Sequence, residues 1–124
     1  LKTHRATSRA GSLVSLMHGN NEIANLLPLE QVGAMCREYG AVFHSDTVQT
    51  MGHYRHNLQQ LPVDFIVGAA HKFHGPKGVG FLYANAETKA SRGAIHPFIH
   101  GGAQERNQRG GTENVYGIVG LAKA

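Results

Sequence analysis

Residues 41–50 read Ala-Val-Phe-His-Ser-Asp-Thr-Val-Gln-Thr, and residues 64–72 read Asp-Phe-Ile-Val-Gly-Ala-Ala-His-Lys. Each stretch contains a short apolar run and ends on groups that carry chemistry. Short apolar runs bounded by turn signals are the mark of strands buried in a sheet. The pattern therefore predicts strands at Ala41–Ser45 and Asp64–Ala69, with Asp46 just past the first and His71 and Lys72 just past the second. Upstream, Leu13–Met17 lies between Gly11 and Gly19 and reads as another buried strand. Between these strands, Pro28–Tyr39 reads as a helix. Pro28 suits a first turn, Leu29, Val32, Met35, Cys36 and Tyr39 recur at helical spacing, and Gly40 is a natural stop. Downstream, Gly75-Pro76-Lys77-Gly78 is a turn leading into a fourth strand, Val79–Ala84. Met51–Leu61 is mixed and reads as helix or loop, and Glu87–Arg92 reads as solvated loop. Gly101–Thr112 is a long glycine-rich polar loop, and Asn114 is placed to cap a last helix, Val115–Ala124.

Strand, helix, strand, connection, strand is an α/β order. The expected fold is a mostly parallel sheet flanked by helices. In such sheets ligands bind beyond the carboxyl ends of the strands. Asn20 and Asn21 follow the first strand, Asp46 and Gln49 the second, and His71 and Lys72 the third, so one rim is expected to collect them.

The composition sets bounds on function. The chain has 124 residues, 41% of them hydrophobic and only 16% charged, against about 25% charged in an ordinary globular domain. One domain, or a part of one, is expected at residues 13–124, preceded by a basic stretch at residues 1–12. No run approaches the roughly 20 apolar residues of a membrane span, and no signal-peptide pattern opens the chain. A cytoplasmic protein without a membrane partner is expected. The single Cys excludes an internal disulfide framework and a Cys-rich zinc site. The formal charge of +4 owes much to Lys2, Arg5 and Arg9. That stretch lacks the aromatics and dense cationic stripe of a nucleic-acid footprint, so no nucleic-acid partner is expected. The pairs His53/His56, His71/His74 and His96/His100 have no HExxH context and no Cys companion, so no metal centre is expected.

The rim offers an acid, amides, an imidazole and an amine. Neither GxxxxGK[ST] nor GxGxxG occurs, so nucleotide cradles lack support. A Lys after a buried strand in a low-charge setting is a candidate Schiff-base amine, because desolvation frees its lone pair. Pyridoxal phosphate asks for such a Lys, for an acid against its pyridinium nitrogen, and for phosphate donors. Asp46 meets the second demand, and Gln49 and Asn21 are candidate partners of the ring hydroxyl. On spacing alone, Asp46 and Lys72 read more readily as ordinary surface charges at strand ends.

Four ordered strings go further: Met17-His18-Gly19-Asn20-Asn21-Glu22-Ile23, His44-Ser45-Asp46-Thr47-Val48-Gln49, Ala70-His71-Lys72-Phe73-His74-Gly75-Pro76-Lys77-Gly78, and His100-Gly101-Gly102-Ala103-Gln104-Glu105-Arg106 with Arg109-Gly110-Gly111-Thr112. Together they resemble the cysteine desulfurases of the NifS/IscS type, class V aminotransferase-like enzymes of pyridoxal phosphate fold type I. The resemblance runs from about Leu13 to the end. It implies that Lys72 holds the cofactor, that Asp46 faces the ring nitrogen and that Gln49 donates to the ring hydroxyl. It also implies that Asn21 lies near that hydroxyl and the substrate carboxylate, that His71 lies by the phosphate, and that Thr112 reaches a phosphate in the neighbouring subunit of a homodimer. The implied reaction takes L-cysteine to L-alanine and leaves an enzyme persulfide for a sulfur-acceptor or scaffold protein in iron–sulfur or thiolation pathways.

The sequence departs from that pattern in places. Ala69 stands where a phosphate-binding Ser is common. Ala24 follows Asn-Asn-Glu-Ile where Gly is usual, and adds strain if the position needs a positive φ. Ala86–Ala94 reads as a short insertion. Members are about three times longer, a two-domain size, so the chain is expected to be a central piece of the cofactor-binding large domain, with the nucleophilic Cys elsewhere. Cys36 lies on the apolar helix face and reads as a small core hydrophobe. Lys77 serves turn geometry or phosphate, and Arg106 and Arg109 serve solvent or a dimer interface. The rival readings are a selenocysteine lyase or another class V enzyme, a non-catalytic scaffold derived from one, and a basic nucleic-acid-binding module.

Overall fold

A computed structural model describes residues 11–86 and 95–124. Most of the basic stretch, residues 1–10, and most of the expected insertion, residues 87–94, lie outside them. The described elements are β1 (Leu13–Met17), α1 (Leu29–Glu38), β2 (Val42–Asp46), β3 (Phe65–Ala69), a 3-10 turn at Ala70–Lys72, β4 (Gly80–Ala84) and α2 (Val115–Lys123). The four strands form one sheet in the order β1-β2-β3-β4. β1, β2 and β3 are parallel, and β4 is antiparallel to β3. The carboxyl ends of three strands therefore share a rim, and the fold is α/β as expected.

Alternation along the strands assigns the two faces. Ser45 pairs with Ile66, and Phe43 lies two residues before Ser45, so these three share a face. That face carries the core: Phe43 and Ile66 are fully buried and cluster with Leu29, Cys36, Ala41, Leu61 and Val63. Burying side chains of that size contributes about 1.5–3 kcal/mol each. α1 covers this face. Its buried line is Leu29, Gly33 and Cys36, while Met35, expected on the apolar stripe, is 54% exposed. The stripe is rotated because α1 also packs on the 61–63 segment. A Cβ at Gly33 would collide with the Pro62 carbonyl, so only Gly allows that approach. Pro28 stands at the N-cap rather than inside the first turn. Gly40, at φ +65, ends the helix, with its N–H donating to Arg37 O at 3.1 Å.

β1 corrects the expectation of a buried strand. Leu13 is 64% and Leu16 42% exposed, because β1 pairs with β2 alone and forms an edge of the described sheet. Met51–Leu61 is a series of turns, not a helix. The Gly101–Thr112 loop contains a distorted helical turn, Gln104–Asn107, in which Glu105 and Arg106 are left-handed. Asn114 caps α2 as expected, its side chain accepting from Gly117 N at 3.1 Å.

Candidate functional site

Asp46 is the last residue of β2 rather than the first beyond it. Parallel register sets it opposite Met17 on β1 and Val67 on β3. The chain then turns sharply. Val48 N donates to Asp46 Oδ1 at 2.9 Å, which fixes the carboxylate and keeps Oδ2 as an acceptor. Thr47 anchors the turn to the neighbouring strand: its N–H and Oγ1 both donate to Val67 O, at 3.2 and 2.7 Å. Gln49 is half-buried within this turn.

His18 locks the turn from the β1 side. Its backbone N–H donates to Asp46 O at 2.8 Å, and its carbonyl accepts from Leu27 N at 2.8 Å. Its Nδ1 lies 2.8 Å from Thr50 Oγ1, which donates to Thr47 O at 3.3 Å. The His18 ring is buried and meets Tyr54 and His56 edge-on, at centroid distances of 5.7 and 5.1 Å. Burial, and then the neighbouring His56, hold the His18 pKa below its ordinary value. Burial does the same for His56. Sequence reasoning passed over His18, Thr47 and Thr50. The available signal, for His18 and Thr47, was a polar residue directly after an apolar strand; Thr50 carried none.

β3 delivers the amine. Ala70 is fully buried at the start of the 3-10 turn, and its carbonyl accepts from Phe73 N at 3.0 Å and Gly75 N at 2.8 Å. The turn carries His71 and Lys72 past the sheet rim, where both side chains are exposed. The expected burial of Lys72 is therefore not seen among the described residues. Lys72 lies three residues beyond the end of β3, on the 3-10 turn rather than in the sheet. The backbone of Lys72 is held instead, by His53 Nε2 at 3.2 Å from its carbonyl oxygen.

The structure thus brings Asp46, Gln49, His71 and Lys72 to one rim of the parallel sheet. Asn21 follows β1 at the same end but is exposed, with Nδ2 donating to Glu22 Oε1 at 3.0 Å. Asn20 shapes that loop, its Oδ1 accepting from Glu22 N at 2.8 Å and Ile23 N at 3.0 Å. Ala24 closes it at φ +57, the left-handed position where an L-residue is strained. Thr112 does not follow a strand of this sheet as the others do. It is exposed ahead of α2, whose opposite end packs Gly120 against Pro76.

The donor set suits pyridoxal phosphate. A carboxylate with one oxygen fixed and one available can face a protonated ring nitrogen, and an exposed amine on a backbone-anchored turn can reach a carbonyl carbon. Cys36 does not belong to this set. It is 2% exposed in the core, and burial, followed by the Asp64 carboxylate, pushes its thiol pKa up. A buried neutral thiol is a poor nucleophile.

Comparison with known proteins gives the family. The model of the aminotransferase class-V family matches residues 3–124, and the chain belongs to that family. Over 112 residues it is 52% identical to the cysteine desulfurase IscS of Dictyoglomus turgidum, covering 90% of this chain and 27% of that protein. A solved NifS-like protein superposes with a TM-score of 0.81 at 45% identity, over 90% of this chain and 30% of its own. A structure of SspA in complex with cysteine gives a TM-score of 0.82 at 32% identity, over 98% and 35%. The chain spans about a quarter to a third of the length of these relatives. No helix among the described residues is long and apolar enough to cross a membrane.

Proposed function

We propose that the protein containing this chain is a pyridoxal phosphate-dependent cysteine desulfurase. It converts L-cysteine to L-alanine and leaves the sulfur on an enzyme cysteine as a persulfide. One observation carries the reading. β2 and β3 are parallel and in register, so Asp46 and the Lys72 turn leave the sheet at a single rim, in a chain 52% identical to a cysteine desulfurase.

The bound cofactor would supply an electron sink for the bond-breaking at the substrate Cα. The protein's residues do the rest. Lys72 Nζ would be the covalent anchor of the cofactor and, when free, the base that takes the substrate's α-proton. Asp46 Oδ2 holds a proton on the ring nitrogen, which its negative charge favours. Gln49 and Asn21 orient the ring hydroxyl, and His71 neighbours the phosphate. The attacking thiolate comes from a cysteine other than Cys36. It bonds to the substrate sulfur as the carbon–sulfur bond breaks, and the three-carbon product leaves as alanine after protonation. Thr112, exposed ahead of α2, serves a neighbouring subunit's phosphate in a homodimer. A cytoplasmic sulfur-acceptor protein then takes the persulfide for iron–sulfur cluster assembly or thiolation.

The test uses the full-length protein with added cofactor, L-cysteine and a thiol reductant. Alanine and sulfide should form in equal amounts, well above a cofactor-only control, with no ammonia or pyruvate. Transamination or elimination products in place of alanine would remove the desulfurase assignment. A much larger kcat/KM for L-selenocysteine would move the protein to the lyases.

A further inference from the structure

Two turns converge behind the candidate rim. The first begins at Asp46 and runs as overlapping hydrogen-bonded turns: Thr50 N and Met51 N donate to Thr47 O at 2.9 and 2.8 Å, and His53 N and Tyr54 N donate to Thr50 O at 3.1 and 3.0 Å. The second is the 3-10 turn that carries Lys72. They touch at two points. Gly52, at φ +82, lies so close to Phe73 that an added Cβ would stand 2.6 Å from the Phe73 Cβ. One residue on, the His53 ring reaches the Lys72 carbonyl, with Nε2 at 3.2 Å. A carbonyl accepts, so His53 carries its proton on Nε2 and donates.

We propose that His53 is a positioning residue for Lys72: its Nε2–H, with the Gly52–Phe73 contact, fixes the turn bearing the amine to the turn bearing Asp46 and Gln49. The acid ends β2, in register with Val67, whereas the amine lies three residues beyond β3 on the 3-10 turn, so the sheet ladder alone does not set their spacing. The eight-residue, hydrogen-bonded path from Asp46 to His53, closed by a hydrogen bond to the backbone of Lys72, sets it. Misplacing a reacting group by a fraction of an ångström costs rate even when binding survives. The role extends the assignment of Lys72 as the cofactor lysine and rests on it.

His53 is exposed, so its substitution is compatible with folding. In the full-length holoenzyme, His53→Ala should lower kcat about five- to tenfold, the scale of one lost neutral hydrogen bond, with KM for L-cysteine nearly unchanged. The pH midpoint of the visible cofactor band should shift. In the cofactor-free protein, amide hydrogen exchange in the peptide spanning Ala70–Gly75 should quicken. His53→Lys, which restores a donor on a long stem, should recover most of each effect; a role confined to general stability would give no such rescue. An His53→Ala protein with wild-type kcat, band titration and exchange overturns the inference, as does failure of His53→Lys to rescue. Borohydride fixation of the cofactor, followed by peptide mapping, separates the two levels. Label on Lys72 with a silent His53→Ala removes this inference alone, whereas label on another lysine removes the site assignment with it.

Discussion

His18 Nδ1 and Thr50 Oγ1 lie 2.8 Å apart in the interior, and this contact ties the end of β1 to the turn that follows Asp46. The same His18 ring meets His56 at 5.1 Å, and His56 Nε2 is buried without a hydrogen-bond partner among the described residues. Two imidazoles in contact, both drawn out of water, favour the neutral state.

A pH dependence follows. Both histidines have folded-state pKa values below the ordinary 6.5. The unfolded chain therefore binds more protons as pH falls below that value, and their contribution to stability is complete above it and lost through the folded-state values. Urea denaturation of the full-length protein from about pH 8 to about pH 5 should show falling stability below roughly pH 6.5. His56→Leu should flatten that fall. An unchanged slope in His56→Leu would show that other groups control it.

Ala24 occupies a left-handed conformation at φ +57 on an exposed loop, with its N–H donating to Asn20 O at 3.0 Å. Glycine adopts this conformation without a Cβ penalty. Ala24→Gly should therefore stabilise the full-length protein by about 0.5–1 kcal/mol, after allowing for the greater freedom of glycine in the unfolded chain. A loss of stability in thermal melts would mean that the loop relaxes out of the left-handed region.

Cys36 fills a core position between α1 and the sheet. Cys36→Ala should cost about 1 kcal/mol and leave alanine production by the full-length enzyme intact. Loss of persulfide formation in a folded Cys36→Ala protein would make this thiol the nucleophile after all.

Asp46→Asn removes the charge that holds a proton on the ring nitrogen while keeping an oxygen able to accept from Val48 N. Cofactor should still bind, and turnover should fall by several orders of magnitude, at about 1.4 kcal/mol per tenfold. Near-normal alanine release by this variant would refute the role.

Much of this was legible from the residues. Phe43, Ile66 and Cys36 declared strands and a helix because an apolar run or stripe must be covered, and Asn114 declared a cap because its side chain can satisfy an orphan N–H. The strain at Ala24 followed from the resemblance on the condition of a positive φ, which the structure has. The exposure of β1 and Lys72 was not foreseen, because burial depends on which elements lie beside a strand or turn, and no local run encodes that. Nor was the rotation of α1, which Gly33 controls through its approach to Pro62, a partner 29 residues away. His18 and His53 escaped for the same reason: each acts on a backbone or hydroxyl group brought near only by the fold.

The assignment of Lys72 as the cofactor lysine underlies the whole reading, and one measurement reaches it directly. The full-length protein is loaded with pyridoxal phosphate, reduced with borohydride, digested and mapped by mass spectrometry. The pyridoxyl group should lie on Lys72, and Lys72→Ala should abolish both the label and the visible absorbance band. Label on any other lysine, or a reducible band that persists in Lys72→Ala, would contradict the assignment.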